Sequence, residues 1–372
     1  MTRTDGGKIM SDNAKTAAEQ HNVIGYAASD WAFERTKNAG ARWFFEKTNL
    51  GLFIHFGISA AGDDIDISWG MMDNPDRRAK GNGILTPNEY WALAEKFNPG
   101  HFEPEKWLSA AKNAGFSYAV FTTKHHDGYA LWPSDFGDFS TKQYLGGRDL
   151  VAEYVSACRK VGLKIGLYYS PPDWRLNREY MSFMTGSRSE KYPDRPHEDA
   201  DHKPVGTIPE MPEKHKKMLV RYFNGQVREL LTRYGQIDLL WFDGTLPSLE
   251  SAMKIDEIRA LQPQIIVNDR LWGTGDYCSR FECKLPTEKP DVPWETAQIW
   301  HVGGGWSYVK NADKYRAPEI TLHQYEVAKK FGGNLLLNIA PDGDGVVPEA
   351  YYTALERLKN DIAAAENNCF PY

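Results

Sequence analysis

Cysteine is scarce, with 4 residues in 372. Cys278 and Cys283 flank a Ser-Arg-Phe-Glu stretch, which is not a zinc-ribbon spacing, and Cys158 and Cys369 stand apart from them. A disulfide framework is therefore not what holds this chain, and reduced, unligated thiols are expected. Long apolar runs are missing too: none approaches the ~18 residues of a membrane span. The opening MTRTDGGKIMSDNAK lacks the roughly 7–15-residue apolar core of a secretory signal, so a cytoplasmic location is expected unless a signal has been removed. No Lys/Arg-rich run appears, and 44 basic against 50 acidic residues give a net charge of -6. Such a surface is a poor partner for nucleic acid. Finally, no G-x-G-x-x-G turn follows an early strand, which argues against an open dinucleotide-binding sheet.

Aromatic residues, by contrast, are abundant at 13%, with 12 Trp and 19 Tyr. They can fill a core or line a cleft that stacks on flat apolar faces such as those of sugar rings. Apolar and charged fractions of 41% and 25% are those of a packed globular protein.

Residues 1–40 are polar and weakly periodic and read as a lead-in segment or surface helix. Residues 41–372 read as a single domain. Near-continuous apolar runs predict strands buried on both faces at Gly51–Phe56, Tyr118–Thr123, Lys164–Tyr169, Ile237–Phe242, Gln264–Asn268, Ala297–Trp300 and Asn334–Ile339. Helical stretches alternate with them. Thr86 with Glu89 forms a capping box, Pro104 opens a helix that Gly115 stops, and Asp149–Lys160 is amphipathic and ends at Gly162. Further helices are expected at Lys214–Tyr234, Glu319–Phe331 and Pro348–Ala363. Strand then helix, repeated about seven times, predicts an α/β fold: a (β/α)8-like TIM barrel, irregular in strand number. Ser182–Pro212, rich in charge, Pro and Gly, reads as a long loop over one end of it.

In such a barrel chemistry lies where strands end. The strand ends here carry His55, then His125 and His126, Tyr168-Tyr169-Ser170, Asp243 before Gly244, and Asn268-Asp269-Arg270. Glu282 and Glu295 follow in what read as loops, then come Trp300, His301 and Trp306. A carboxylate closing the apolar run Leu239–Phe242 is costly unless paired or used, so Asp243 is a candidate functional group. A lone His55 is as readily a satisfied core histidine. The Asp342-Gly343-Asp344-Gly345 stretch lacks the spaced ligands of a calcium loop and reads as a tight turn. Three function classes fit these residues: a glycoside hydrolase with two catalytic carboxylates, a metal-dependent hydrolase, and a non-catalytic carbohydrate-binding barrel. The metal class is the weakest, because adjacent His125 and His126 on a strand should face opposite ways.

Several stretches resemble the α-L-fucosidases of glycoside hydrolase family 29. They are Gly51–Gly57, Thr122–Gly128 running on to Trp132-Pro133-Ser134, Lys164–Ser170, Trp241–Gly244 and Asn334–Pro341. The resemblance implies a (β/α) barrel without the C-terminal β-sandwich common in the family. It implies a retaining exo-hydrolase that releases terminal α-L-fucose, or a closely related sugar, through a covalent glycosyl-enzyme. The nucleophile would be Asp243 and the acid/base Glu282, with Glu295 as its rival and expected sugar contact. His55, Trp69, His125, His126, Tyr169, Trp241, Arg270 and Trp306 would bind the sugar. No cofactor or metal is implied, and the expected partner is a carbohydrate rather than nucleic acid or membrane. Where family members commonly carry a Glu-Trp pair, this chain has Ser68-Trp69, with Asp66 nearby. The strong acceptor for two sugar hydroxyls is thereby lost.

Overall fold

The structure, a computed structural model, describes residues 33, 35–62, 64–75, 78, 83–309 and 311–368. The expected lead-in segment and Cys369 thus lie almost wholly or wholly outside the described residues. In chain order the strands are β1 (Leu50–Ile54), β2 (Tyr118–Lys124), β3 (Lys164–Tyr169), β4 (His197–Glu198), β5 (Pro204–Val205), β6 (Leu239–Phe242), β7 (Ile266–Val267), β8 (Cys278–Glu282), β9 (Trp294–Ile299) and β10 (Asn334–Ile339). Eight of them form one parallel sheet in the order β7-β6-β3-β2-β1-β10-β9-β8. The sheet curls so that its two edges meet at a single bridge, Asn268 to Tyr277. The Asp276 carboxylate reinforces this seam by accepting from the Val267 amide at 2.8 Å. The result is a (β/α)8-like barrel, as the strand–helix rhythm predicts.

Strand alternation splits the core into two layers. Phe53, Tyr118, Val120, Tyr168, Leu239, Trp241, Ile266, Tyr277, Ala297 and Leu336 fill the barrel interior. Leu52, Ile54, Ala119, Phe121, Ile165, Leu167, Tyr169, Leu240 and Phe242 pack outward under the helices. A short 3-10 turn, Ala39–Phe44, plugs the end where the strands begin, with Phe44 against Tyr277 at 4.6 Å between ring centroids. The helix signals read from sequence act as expected. Thr86 and Glu89 form a reciprocal capping box, Asp149 caps Leu150–Val161, and Gly162 ends that helix in the left-handed conformation.

Two expectations are corrected. β8 is an eighth strand that no apolar run announced, because Ser279, Arg280 and Glu282 interrupt it. Glu282 therefore ends a strand rather than sitting in a loop, and Glu295 is the second residue of β9. The Ser182–Pro212 stretch is more than a loop: it folds a small antiparallel hairpin, β4 with β5. Its Thr185 amide donates to the Asp73 carbonyl at 2.8 Å, which docks it on the segment after β1. The 342–345 stretch is a tight turn, with Asp342 Oδ1 accepting from the Asp344 and Val346 amides. Cys158, Cys278 and Cys283 are free thiols.

Candidate active site

β6 ends in Phe242, and Asp243 follows it in the first position past the sheet, where its amide still donates to the Tyr169 carbonyl at 3.1 Å. Arg270 and Tyr168 hold its side chain by hydrogen bonds, with His126 close by. Arg270 Nη1 donates to Oδ1 at 2.6 Å, the Tyr168 hydroxyl donates to Oδ2 at 2.8 Å, and His126 Nε2 lies 3.5 Å from Oδ2. Arg270 itself follows β7 and is buried. Its guanidinium lies over the Trp241 ring at 4.3 Å and bonds the Ser279 carbonyl at 2.8 Å. Its other terminal nitrogen donates to Glu282 Oε2 at 2.8 Å. One guanidinium thus grips both carboxylates, a geometry that a planar fork suits and a lysine would not. The Asp243 and Glu282 side chains remain 12% and 24% exposed, because they border a cavity.

That cavity holds about 310 Å³, mouth included, and is lined by Phe53, His55, Trp69, His125, Tyr168, Trp241, Asp243, Glu282, Ala297 and Trp306. The aromatic walls are braced from behind. Asp66 accepts from the Trp306 amide at 2.7 Å, and Asn338 Nδ2 donates to the Trp306 carbonyl at 2.7 Å. With its amide so oriented, Asn338 turns Oδ1 to His55 Nδ1 at 2.5 Å. His55 therefore carries its proton on Nδ1 and keeps Nε2 as an acceptor on a ring that lines the pocket. Burial pushes the His55 imidazole down to about 4, so it is neutral at ordinary pH. Burial, with His126 and His55 beside it, also pushes His125 well below its usual value.

Five of the expected sugar-binding residues line the cavity: His55, Trp69, His125, Trp241 and Trp306. Arg270 and His126 stand behind it, against Asp243. Two do not belong. Tyr169 faces the outer layer and donates to Gln226 on the helix Glu213–Thr232 at 2.7 Å. The inward tyrosine is Tyr168, whose parity matches its strand partner Trp241. Glu295 lies deep in the barrel, 1% exposed, where Tyr118, Trp241 and Tyr277 donate to it at 2.5, 2.9 and 3.3 Å. Phe53 and Ala297, also pocket walls, carry no chemical signal that sequence reasoning could use.

The expected divergence of His125 and His126 does not occur. β2 ends at Lys124, past an irregularity in its pairing with β3, and the chain then turns through Gly128 at φ +86°. Alternation no longer applies, and the two rings sit 4.1 Å apart. With Asp243 they present ligand atoms within 4.8 Å of one another. A divalent ion there would have to share Asp243 with the Arg270 guanidinium, and like-charge repulsion disfavours it. Ser68 does not stand in for a pocket carboxylate. Its hydroxyl is engaged with His125 Nδ1 at 2.6 Å and with the Asp127 amide at 2.8 Å.

A family model described as "Alpha-L-fucosidase" matches residues 15–361. Alpha-L-fucosidase 1 of Arabidopsis thaliana is 27% identical over 353 residues, covering 84% of this chain and 58% of its own length. The tissue alpha-L-fucosidase of Rattus norvegicus is 27% identical over 327 residues, covering 82% and 64%. Among solved structures, alpha-L-fucosidase isoenzyme 1 from Paenibacillus thiaminolyticus matches with a TM-score of 0.70 at 30% identity, covering 88% of this chain and 76% of that one. A variant of the alpha-L-fucosidase AlfC, solved with 4-nitrophenyl-α-L-fucopyranoside, matches with a TM-score of 0.67 at 26% identity, covering 88% and 100%. The chain therefore spans about three fifths of the length of these two curated relatives.

Proposed function

The chain belongs to the α-L-fucosidase family, and from that premise we propose that it is a retaining exo-glycosidase releasing terminal α-L-fucose or a closely related sugar. The observation that carries the reading is the pair Asp243 and Glu282 on one buried guanidinium, bordering an aromatic-lined pocket. Asp243 is the nucleophile: Arg270 and Tyr168 hold it in a single orientation by hydrogen bonds, so little reorganisation is needed before attack. Glu282 is the acid/base, more exposed and at the mouth. To protonate a leaving oxygen Glu282 must first take up a proton from solvent, which releases it from Arg270, and the glycosidic oxygen then takes the guanidinium's place beside it. After the glycosyl-enzyme forms, Asp243 is esterified and Arg270 is left to Glu282, which then takes a proton from water. The two groups would work ~5–5.5 Å apart, as in retaining enzymes.

The same reading assigns His55 Nε2 as acceptor for a ring hydroxyl and Trp241, Trp69 and Trp306 as stacking walls. Without a carboxylate at position 68, affinity for the hydroxyls it would hold falls, and related sugars compete better. The test is hydrolysis of a panel of 4-nitrophenyl glycosides, followed by proton NMR of the first sugar released. The expected result is a strong preference for the α-L-fucoside and an α-configured first product. An inverted product, or turnover of every glycoside but the fucoside, would overturn it.

A further inference from the structure

A second cluster of ligating groups, separate from His125, His126 and Asp243, lies on the segment that leads away from Trp69. Asp73, Glu198 and His202 present ligand atoms within 4.8 Å of one another, contributed by the segment after the 3-10 turn Ser68–Met71, by β4 and by the turn before β5. We infer that Asp73, Glu198 and His202 form a divalent-cation site of zinc type that clamps the 182–212 excursion to the pocket segment.

Three observations carry this. Glu198 is 6% exposed, yet its Oε2 is fully buried and has no hydrogen-bond partner. A buried carboxylate oxygen in that state costs free energy unless a cation faces it. The imidazole is arranged as ligating histidines are. His202 Nε2 donates to the Met71 carbonyl at 3.0 Å, which fixes the proton there and leaves Nδ1 as a bare donor atom. Charge is short as well. The nearby Arg78 donates to Asp73 Oδ1 at 2.6 Å from a side chain 54% exposed, a weak counter-charge for two carboxylates.

Two carboxylates and one imidazole suit Zn²⁺ better than Ca²⁺ or Mg²⁺, which favour all-oxygen sets. Ligand atoms around zinc stand ~3.4 Å apart, so the groups need close by little more than ~1 Å, and water can take the fourth position. The backbone already joins these segments: the Asp73 amide donates to the Phe183 carbonyl, and the Phe183 amide to the Glu198 carbonyl. An ion would lock that junction and brace the wall that carries Trp69.

The full chain, freed of metal with a chelator, is titrated with ZnCl2 and in parallel with CaCl2, by calorimetry and by thermal melts. The expected result is one zinc per chain, a rise in Tm with zinc, and much weaker calcium binding. Glu198→Gln and His202→Ala should each weaken zinc by about 100-fold or more, the upper end of what loss of even an outer-shell partner brings. Asp73→Asn serves if either fails to fold by circular dichroism. Absence of zinc binding would overturn the site, as would calcium binding as tight as zinc. Zinc binding unchanged in the variants would also overturn it, by placing the ion elsewhere, for example at His125 and His126.

Discussion

The barrel interior holds acidic groups at two depths, and they are built differently. Near the start of the strands Glu295 is sealed, with three aromatic donors saturating it: Tyr118, Trp241 and Tyr277. At the opposite end Asp243 and Glu282 share a single arginine and border a cavity. Trp241 touches both regions: its indole N–H donates to Glu295, and its side chain is among those lining the pocket. Burial pushes the Glu295 carboxyl up to about 7, a value attractive in a proton donor. Access decides otherwise: a group 1% exposed and walled off by aromatic rings cannot reach a leaving oxygen. A perturbed acid is a functional candidate only where a substrate can touch it.

The largest effect that bears on this comparison is expected for Asp243→Ala, which should lose at least about 10⁴-fold in kcat while circular dichroism and Tm stay near wild type. Near-wild-type turnover would remove the nucleophile from the account. Next is Glu282→Ala, with a loss of about 10²–10⁴-fold on a natural glycoside and far less on an activated aryl fucoside. Tyr168→Phe removes one donor to an ionised group, worth about 1.5–3 kcal/mol, so kcat/KM should fall roughly 10- to 100-fold. An unchanged value would mean that Tyr168 only packs.

Glu295→Gln is expected to leave kcat within a few-fold and to act on stability. In the folded chain Glu295 keeps a proton up to about 7, whereas an ordinary glutamate loses it near 4.5. The native state then binds more protons across that window, so stability falls as pH rises through it. Melts between pH 4.5 and pH 7 should show this slope in the wild type and a flatter one in the variant. Smallest is chelation, which should lower Tm through the Asp73–Glu198–His202 site yet leave kcat unaltered. Loss of kcat restored by zinc would move a metal into the chemistry.

The same two regions show what the sequence makes legible. Seven of the eight barrel strands announce themselves because strands buried on both faces must be continuously apolar. β8 does not, since Ser279, Arg280 and Glu282 spend its inward and edge positions on the site; Ser279 alone contacts Asn268, Arg270 and Asp269. Asp243 stands out for the opposite reason, a charge at the end of an apolar run. The choice between Tyr168 and Tyr169 depended on strand parity, which the pairing with Trp241 resolves. The companionship of His125 and His126 was unreadable, because it depends on where β2 stops and the turn begins. The partners of Glu295 lie far from it in sequence, except Tyr277, so its sealed position belongs to the closed barrel alone.

The most direct measurement is azide rescue in the two glutamate variants, Glu282→Ala and Glu295→Ala, on an activated aryl α-L-fucoside. Azide attacks the glycosyl-enzyme without needing a base, so in variants that keep Asp243 it substitutes for a missing acid/base and gives the azide with retained configuration. Faster turnover and fucosyl azide as product are expected in Glu282→Ala, with no azide effect in Glu295→Ala. Rescue of Glu295→Ala alone would contradict it and transfer the proton to the sealed end of the barrel.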